Sequence, residues 1–140
     1  MQRIMSFVVM PSAFPREQFI QLLLERFPSL KAEVLDESRS DLIYLQVSCL
    51  TDYANSCLRD GLICEFEKAI AFFYQTVGKV DITAEDALFL NFLGDLEMDG
   101  DTPDYQRARA LLQAEHLQFW AEWRARHFGE KHLIDYLTKP

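Results

Sequence analysis

Apolar residues recur every three or four positions through most of the chain, the spacing of amphipathic helices. Strand-type alternation of apolar and polar residues is not evident. The pattern therefore predicts an all-α, single-domain bundle of about six helices over residues 15–140, preceded by a leader at residues 1–14. The six stripes are Phe19, Leu23 and Phe27; Leu30 and Val34; Leu42, Leu45, Cys49, Tyr53 and Cys57; Phe66, Ala69, Ile70, Phe73 and Val77; residues 84–96; and Tyr105, Ala108, Leu112, Phe119 and Trp123.

Several polar residues stand where helices should begin. Ser40 is a predicted N-cap of the third helix, and Thr83 followed by Asp86 predicts a capping box for the fifth. The segment 102–104, Thr-Pro-Asp, predicts the start of a long sixth helix. The fifth helix, 84–96, is apolar on almost all sides, which is typical of the central helix of a bundle.

The turn after this central helix carries a dense cluster of acidic residues. Asp95, Glu97, Asp99, Asp101 and Asp104 lie there, in a chain whose net charge is already −8. Like charges placed this close oppose folding, so the cluster marks a candidate binding site. Two interpretations remain open: a solvated helix junction, or an acidic surface that contacts a partner.

A calcium loop is the metal site that this turn most resembles. Asp95 to Asp101 supply the first acidic positions and the glycine of an EF-hand loop. Pro103 and Gln106 then occupy positions nine and twelve, so the bidentate glutamate is missing. We therefore predict no metal and no cofactor.

A second candidate contact lies in the sixth helix, in the stretch HLQFWAEWRARHF. Trp120 and Arg124 share a flank with His127, away from Phe119 and Trp123. Trp and Arg are enriched at binding hot spots, so we add Trp120 and Arg124 to the predicted partner contacts. Core packing of Trp120 is the alternative.

Catalytic motifs are not evident. His116, His127 and His132 are eleven and five residues apart, not the three or four of neighbouring ligands on a helix, and none follows a glutamate by three residues as in di-iron bundles. The five glycines form no phosphate-binding loop, and no serine or thiol has a base beside it. We therefore predict a protein that is not an enzyme.

Charge and cysteine content suggest where the protein acts. The net charge of −8 argues against nucleic acid and anionic membrane as partners and favours a basic one. Three cysteines without paired spacing fit a reducing compartment. No apolar span is long enough for a membrane helix, and the leader is too short for a signal peptide. We expect a cytoplasmic protein.

The order of the segments resembles a family of small acidic all-helical bacterial proteins, several of which are encoded beside polymorphic toxins as their immunity proteins. The similarity runs from Phe19 to Asp99 through LLLERFPSL, DLIYLQVSCLTDYANSCL, EFEKAIAFFYQTVG and EDALFLNFLGDLE. Its most distinctive element is Phe92-Leu93-Gly94-Asp95-Leu96. Members of that family often carry Glu where this chain has Gly94.

The resemblance implies a cytoplasmic immunity protein that binds and neutralises one cognate toxin by stoichiometric contact. Many toxin domains act on nucleic acid or nucleotides and carry basic clefts, and the acidic turn would meet such a cleft. The alternatives are a small helical enzyme, a protein that binds a small ligand or divalent ion, or a generic helical adaptor.

Overall fold

The computed structural model describes the backbone of residues 14–137 and the side chains of residues 14–134. This part of the chain contains no β-strand, only an isolated parallel bridge between Phe14 and Val80. The prediction of an all-α single-domain bundle is confirmed. The predicted leader, except for Phe14, lies outside the described residues. The described α-helices are α1 (Arg16–Arg26), α2 (Lys31–Val34), α3 (Ile43–Arg59), α4 (Ile63–Thr76), α5 (Ile82–Ala87), α6 (Pro103–Ala110) and α7 (Ala114–Phe128).

Three further helical segments, which are not α-helical, join or extend these helices. Pro28–Leu30 and Lys131–Leu137 are 3₁₀ turns, and Leu88–Leu93 is π-helical and continues directly from α5. Among the described helices, none combines the length and apolar character needed to cross a membrane.

The core is built from aromatic side chains around the π-helical segment, as predicted for the apolar stretch 84–96. Phe92 is fully buried and stacks on Phe73 of α4, with ring centroids 5.7 Å apart. Phe89 packs edge-on against Phe119 of α7 at 5.4 Å. Leu88, Phe92, Leu93 and Leu96 are all inaccessible to solvent. Contacts with both α4 and α7 place this segment at the centre of the bundle.

Two of the predicted helix starts are wrong. The N-cap of α5 is Asp81, whose Oδ1 accepts the backbone N–H of Ala84 at 2.8 Å, so Thr83 lies inside the first turn. Helix α3 begins only at Ile43, because Asp41 has a left-handed backbone with φ of 65°, and Ser40 therefore caps nothing. The predicted start at 102–104 is confirmed, with Thr102 at the N-cap and Pro103 in the first turn of α6.

The predicted long sixth helix is two helices, α6 and α7, separated at residues 111–113. The backbone N–H of Gln113 donates to the hydroxyl of Tyr74 at 2.8 Å instead of to a carbonyl one turn earlier. Tyr74 thus ends the hydrogen-bond ladder of α6. As a result, α7 buries Trp120, Ala121 and Arg124, whereas Phe119 and Trp123 are only half-buried.

Candidate functional site

Three of the seven predicted site residues line a cavity of about 400 Å³, the polar groove, between α3, the end of the π-helical segment and the end of α7. It brings together Asp95, Glu97 and Arg124 from the sequence-predicted set. Asp99, Asp101, Asp104 and Trp120 do not line it. The residues lining the groove are Ser48, Thr51, Asp52, Asn55, Asn91, Asp95, Glu97, Arg124 and Phe128.

One wall of the groove is a polar stripe on α3 that sequence reasoning missed. Ser48, Thr51, Asp52 and Asn55 follow one another at spacings of three, one and three residues, so they share one face of the helix. The face of α3 that packs on the core carries Ile43, Val47, Leu50, Ala54 and Leu58, whereas Leu42 and Leu45 of the predicted stripe are exposed. A stripe of polar residues along an otherwise apolar helix is the sequence signal that could have identified this wall, and in the structure two of its members, Thr51 and Asn55, are buried.

The π-helical segment shapes the opposite wall. The N–H of Gly94 donates to the carbonyl of Phe89, five residues earlier, at 2.9 Å. The N–H of Asp95 donates to Phe92, so the carbonyl of Asn91 receives no bond from Asp95 and instead accepts the hydroxyl of Thr51 at 2.6 Å. Segments of π-helix are frequent at functional sites, because they redirect backbone and side chains within a helix.

Asn55 fixes the first residues of the acidic turn. Its side chain is only 6 % exposed. Its Nδ2 donates to the carbonyl of Asp95 at 3.1 Å, and its Oδ1 accepts the N–H of Glu97 at 2.9 Å. Both ends of the amide are therefore used, and the backbone that carries the two carboxylates is held against α3.

Asp95 is the half-buried carboxylate of the groove. Burial raises the pKa of Asp95 above its usual range; the nearby Arg124 guanidinium opposes this rise, and the negative charges of Asp52 and Glu97 add to it. Glu97, by contrast, is exposed and pairs with Arg59 at 3.1 Å, with both side chains about half exposed. Exposed pairs of this kind contribute little stability, so solvent and partners compete readily for Glu97.

Arg124 and Trp120 require a correction, because an exposed contact flank was predicted for them. Trp120 is 0 % exposed, and its indole N–H donates to the carbonyl of Leu96 at 2.7 Å. Arg124 is 6 % exposed and forms a two-point pair with Glu130, at 3.0 and 2.8 Å, while Nη1 reaches the carbonyl of Gly94 at 3.3 Å. Both side chains hold the end of the central helix in place and offer little surface to a partner.

Arg109 of α6 holds the backbone of the acidic turn at Met98 and Gly100. Its Nη1 donates to the carbonyls of Met98 and Gly100, at 2.6 and 2.8 Å, and the Met98 side chain is fully buried. Asp101 is exposed, and Asp99 and Asp104 are half-buried. Within residues 14–134, Glu97 is the only one of the five predicted carboxylates that forms an ion pair. The turn therefore has a fixed backbone and four carboxylates without a cationic partner in this range.

Comparison with known proteins places the chain in a family. A family model for a domain of unknown function, DUF7674, matches residues 20–129. The chain belongs to the DUF7674 family. No curated protein and no solved structure matches it. The matched part of this DUF7674 domain includes every residue of the polar groove, so the groove lies wholly within the family's own segment.

The packing around residue 94 explains why it is glycine in this chain. A Cβ atom placed on Gly94 would lie 2.7 Å from the ring of Trp123. Contacts this short do not occur, so the Glu expected from the resemblance would require the Trp123 side chain to move. Glycine here allows Trp123 to close over the end of the central helix.

The described residues do not form a metal-binding site. No group of three or more His, Cys, Asp or Glu side chains among them is placed to hold a metal ion. What the polar groove and acidic turn can do is bind: they offer fixed carboxylates, the Asn91 amide and the Ser48 hydroxyl to a cationic or hydrogen-bonding partner.

Proposed function

We propose that this protein is a bacterial immunity protein that binds and neutralises one cognate toxin domain by stoichiometric contact, in the cytoplasm of the cell that makes both. The observation that carries the proposal is the acidic turn: Asp95, Asp99, Asp101 and Asp104 form no ion pair within residues 14–134, while the backbone of the turn is held by buried side chains. The resemblance to immunity proteins supplies the identity of the partner.

Rigidity of the acidic turn favours a contact surface over a merely solvated junction. Asn55, Arg109 and Trp120 each hydrogen-bond its backbone, at Asp95 and Glu97, at Met98 and Gly100, and at Leu96. A surface that is already ordered loses little conformational entropy on binding, so more of the contact energy appears as affinity.

Charge explains how such a surface would find its partner. A row of fixed carboxylates accelerates encounter with a basic cleft and selects against acidic surfaces. Within the groove, a lysine or arginine side chain would relieve the repulsion among Asp52, Asp95 and Glu97. Occlusion of the toxin's cleft needs no chemistry from the immunity protein.

The decisive experiment is co-expression with the toxin domain encoded by the neighbouring gene. We expect the protein to restore growth and to co-purify with the toxin as a complex. The variant Asp99→Lys with Asp101→Lys should slow association, weaken its salt dependence and reduce protection, because two positive charges would then face a basic cleft.

A matched control separates the local contact from the overall charge. Glu33→Lys with Glu37→Lys changes the net charge by the same four units at exposed positions near α2. Gln46 of α3 donates to the carbonyl of Val34 in α2, and it lies nine residues before Asn55, about 14 Å along the helix axis. The control should bind like the wild type. Equal loss in both variants would remove the acidic turn as the contact, and no rescue by the wild type would end the immunity proposal.

A further inference from the structure

A second cavity lies on the other side of the bundle, away from the polar groove. This α1 groove has a volume of about 750 Å³ and runs between α1 and the segment that connects α1 to α3. Its apolar lining comes from Ile20, Leu24, Pro28 and Leu35. Cavities of this size and character hold small molecules of up to drug size.

Gln46 of α3 lines the α1 groove and carries an unsatisfied acceptor. The residue is 3 % exposed, and its Nε2 donates to the carbonyl of Val34 at 3.1 Å. That bond fixes the orientation of the amide, since only the nitrogen can donate to a carbonyl. Its Oε1 is buried and has no hydrogen-bond partner among the described residues. A buried acceptor without a partner costs free energy, and a ligand that donates to it would recover that cost.

Arg16 presents the complementary group at the same groove. Its Nε is also buried and has no hydrogen-bond partner among the described residues. The groove thus contains one unsatisfied donor and one unsatisfied acceptor. Gln46 and Arg16 both line the groove, and the neighbouring rim residues Lys31 and Leu35 are exposed, so the side chains of Lys31 and Leu35 are free to shift when a ligand enters.

The two unsatisfied atoms and the rim charges define the ligand. A carboxylate would satisfy Arg16 but repel the Gln46 oxygen, and an ammonium group would do the reverse. An amide carries one acceptor and one donor in a neutral group. The groove is lined by two cationic side chains, Arg16 and Lys31, and by three carboxylates, Glu17, Glu25 and Asp41, so its net charge is small and neither sign of charge is attracted strongly.

We propose that the α1 groove binds an uncharged small molecule with an apolar body and an amide group, whose N–H donates to Gln46 Oε1 and whose carbonyl accepts from Arg16 Nε. This site is separate from the acidic turn and does not depend on the immunity role. The apolar body would lie on Ile20, Leu24 and Leu35.

Three probes of the same shape test the proposal: N-methyl-4-phenylbutanamide, its methyl ester analogue and the free 4-phenylbutanoate. The ester lacks the N–H, and the acid replaces the amide with a charge. Titration followed by backbone amide NMR shifts should show millimolar binding of the amide at Ile20, Leu24 and Gln46, and roughly tenfold weaker binding of the other two.

Variants of the protein make the assignment specific. Gln46→Met has a similar shape without the acceptor, so the preference for amide over ester should fall to about onefold. Leu24→Phe fills the groove and should abolish binding of all three probes, while the same change at exposed Leu62, outside the groove, should leave binding intact. Should Gln46→Met fail to fold, the Leu24→Phe and Leu62→Phe pair still decides whether the groove is the site.

The proposal is overturned if the amide shifts no resonances of groove residues. In that case water, and not a ligand, would satisfy Gln46 Oε1 and Arg16 Nε. The proposal is equally overturned if amide and ester bind the wild type alike, or if the preference persists in Gln46→Met.

Discussion

The two cavities of this bundle differ in whether their buried polar atoms have hydrogen-bond partners. In the polar groove, the Asn55 amide uses both ends on the backbone of the acidic turn, and Arg124 is held by Glu130 and Gly94. In the α1 groove, Gln46 uses only its nitrogen, and Arg16 Nε has no partner among the described residues. The contrast distinguishes a surface already ordered for a macromolecular contact from a cavity whose polar groups remain to be satisfied by a ligand.

The largest expected effect is on the support of the polar groove. Arg124→Met would leave Glu130 without its ion pair and remove the donor to Gly94, and should cost about 3 kcal/mol in the free energy of unfolding measured in urea. The value lies at the low end for a broken buried pair, because the Glu130 side chain is 20 % exposed. Arg126→Met on the exposed face of α7 should change stability by less than about 0.5 kcal/mol. Equal effects at the two arginines would show that the guanidinium network does not hold the groove.

A smaller effect on the free energy of unfolding is expected when a buried amide side chain in each groove is replaced by an apolar one. Asn55→Leu strands the carbonyl of Asp95 and the N–H of Glu97, so it should cost about 2 kcal/mol. Gln46→Met loses the bond to Val34 but also removes a buried oxygen without a partner, so the two terms offset and stability should change by less than about 1 kcal/mol. Chemical denaturation of both variants measures the difference. A loss at Gln46 as large as that at Asn55 would remove the contrast between the grooves.

The smallest effect concerns pH. Burial raises the pKa of Asp95, so the folded protein holds this proton more tightly than the unfolded chain, and the ionised form lowers stability at neutral pH. Asp95→Asn should therefore raise the melting temperature at neutral pH. The gain should shrink as the pH falls through the raised pKa and vanish below the ordinary value of 3.8.

The control for the pH experiment is Asp101→Asn at the exposed position of the same turn. It should leave the melting temperature unchanged. A melting temperature of Asp95→Asn that lies below that of the wild type at neutral pH would mean that attraction to Arg124 outweighs burial.

The helical fold was predictable because it depends on local spacing. Stripes of apolar residues at three and four positions locate α1, α3 and α4, and the run 84–96 identifies the central segment. Helix starts were less predictable. Thr83 and Asp81 are both competent caps, and the choice depends on which side chain reaches the first free N–H group.

The candidate site was predictable in part. The acidic residues of the turn are evident from composition, and two of them, Asp95 and Glu97, line the polar groove. Their neighbours Asn55 and Thr51 are forty residues or more away along the chain, so no local pattern joins them. The prediction placed Trp120 and Arg124 on the wrong side of α7. It treated residues 102–128 as one continuous helix with one apolar face, whereas the helix is interrupted at residues 111–113.

By itself, then, the sequence determined the helices, the apolar centre and the charge of the turn, because each arises from residues within a few positions of one another. Tertiary structure alone decided where α6 stops, since a distant Tyr74 takes the N–H of Gln113. It also decided that Trp120 and Arg124 are buried, that Asn55 holds the acidic turn, and that Gln46 retains an unused acceptor. Hydrogen bonds between distant segments depend on how the helices pack, and helical periodicity within one segment carries no record of that packing.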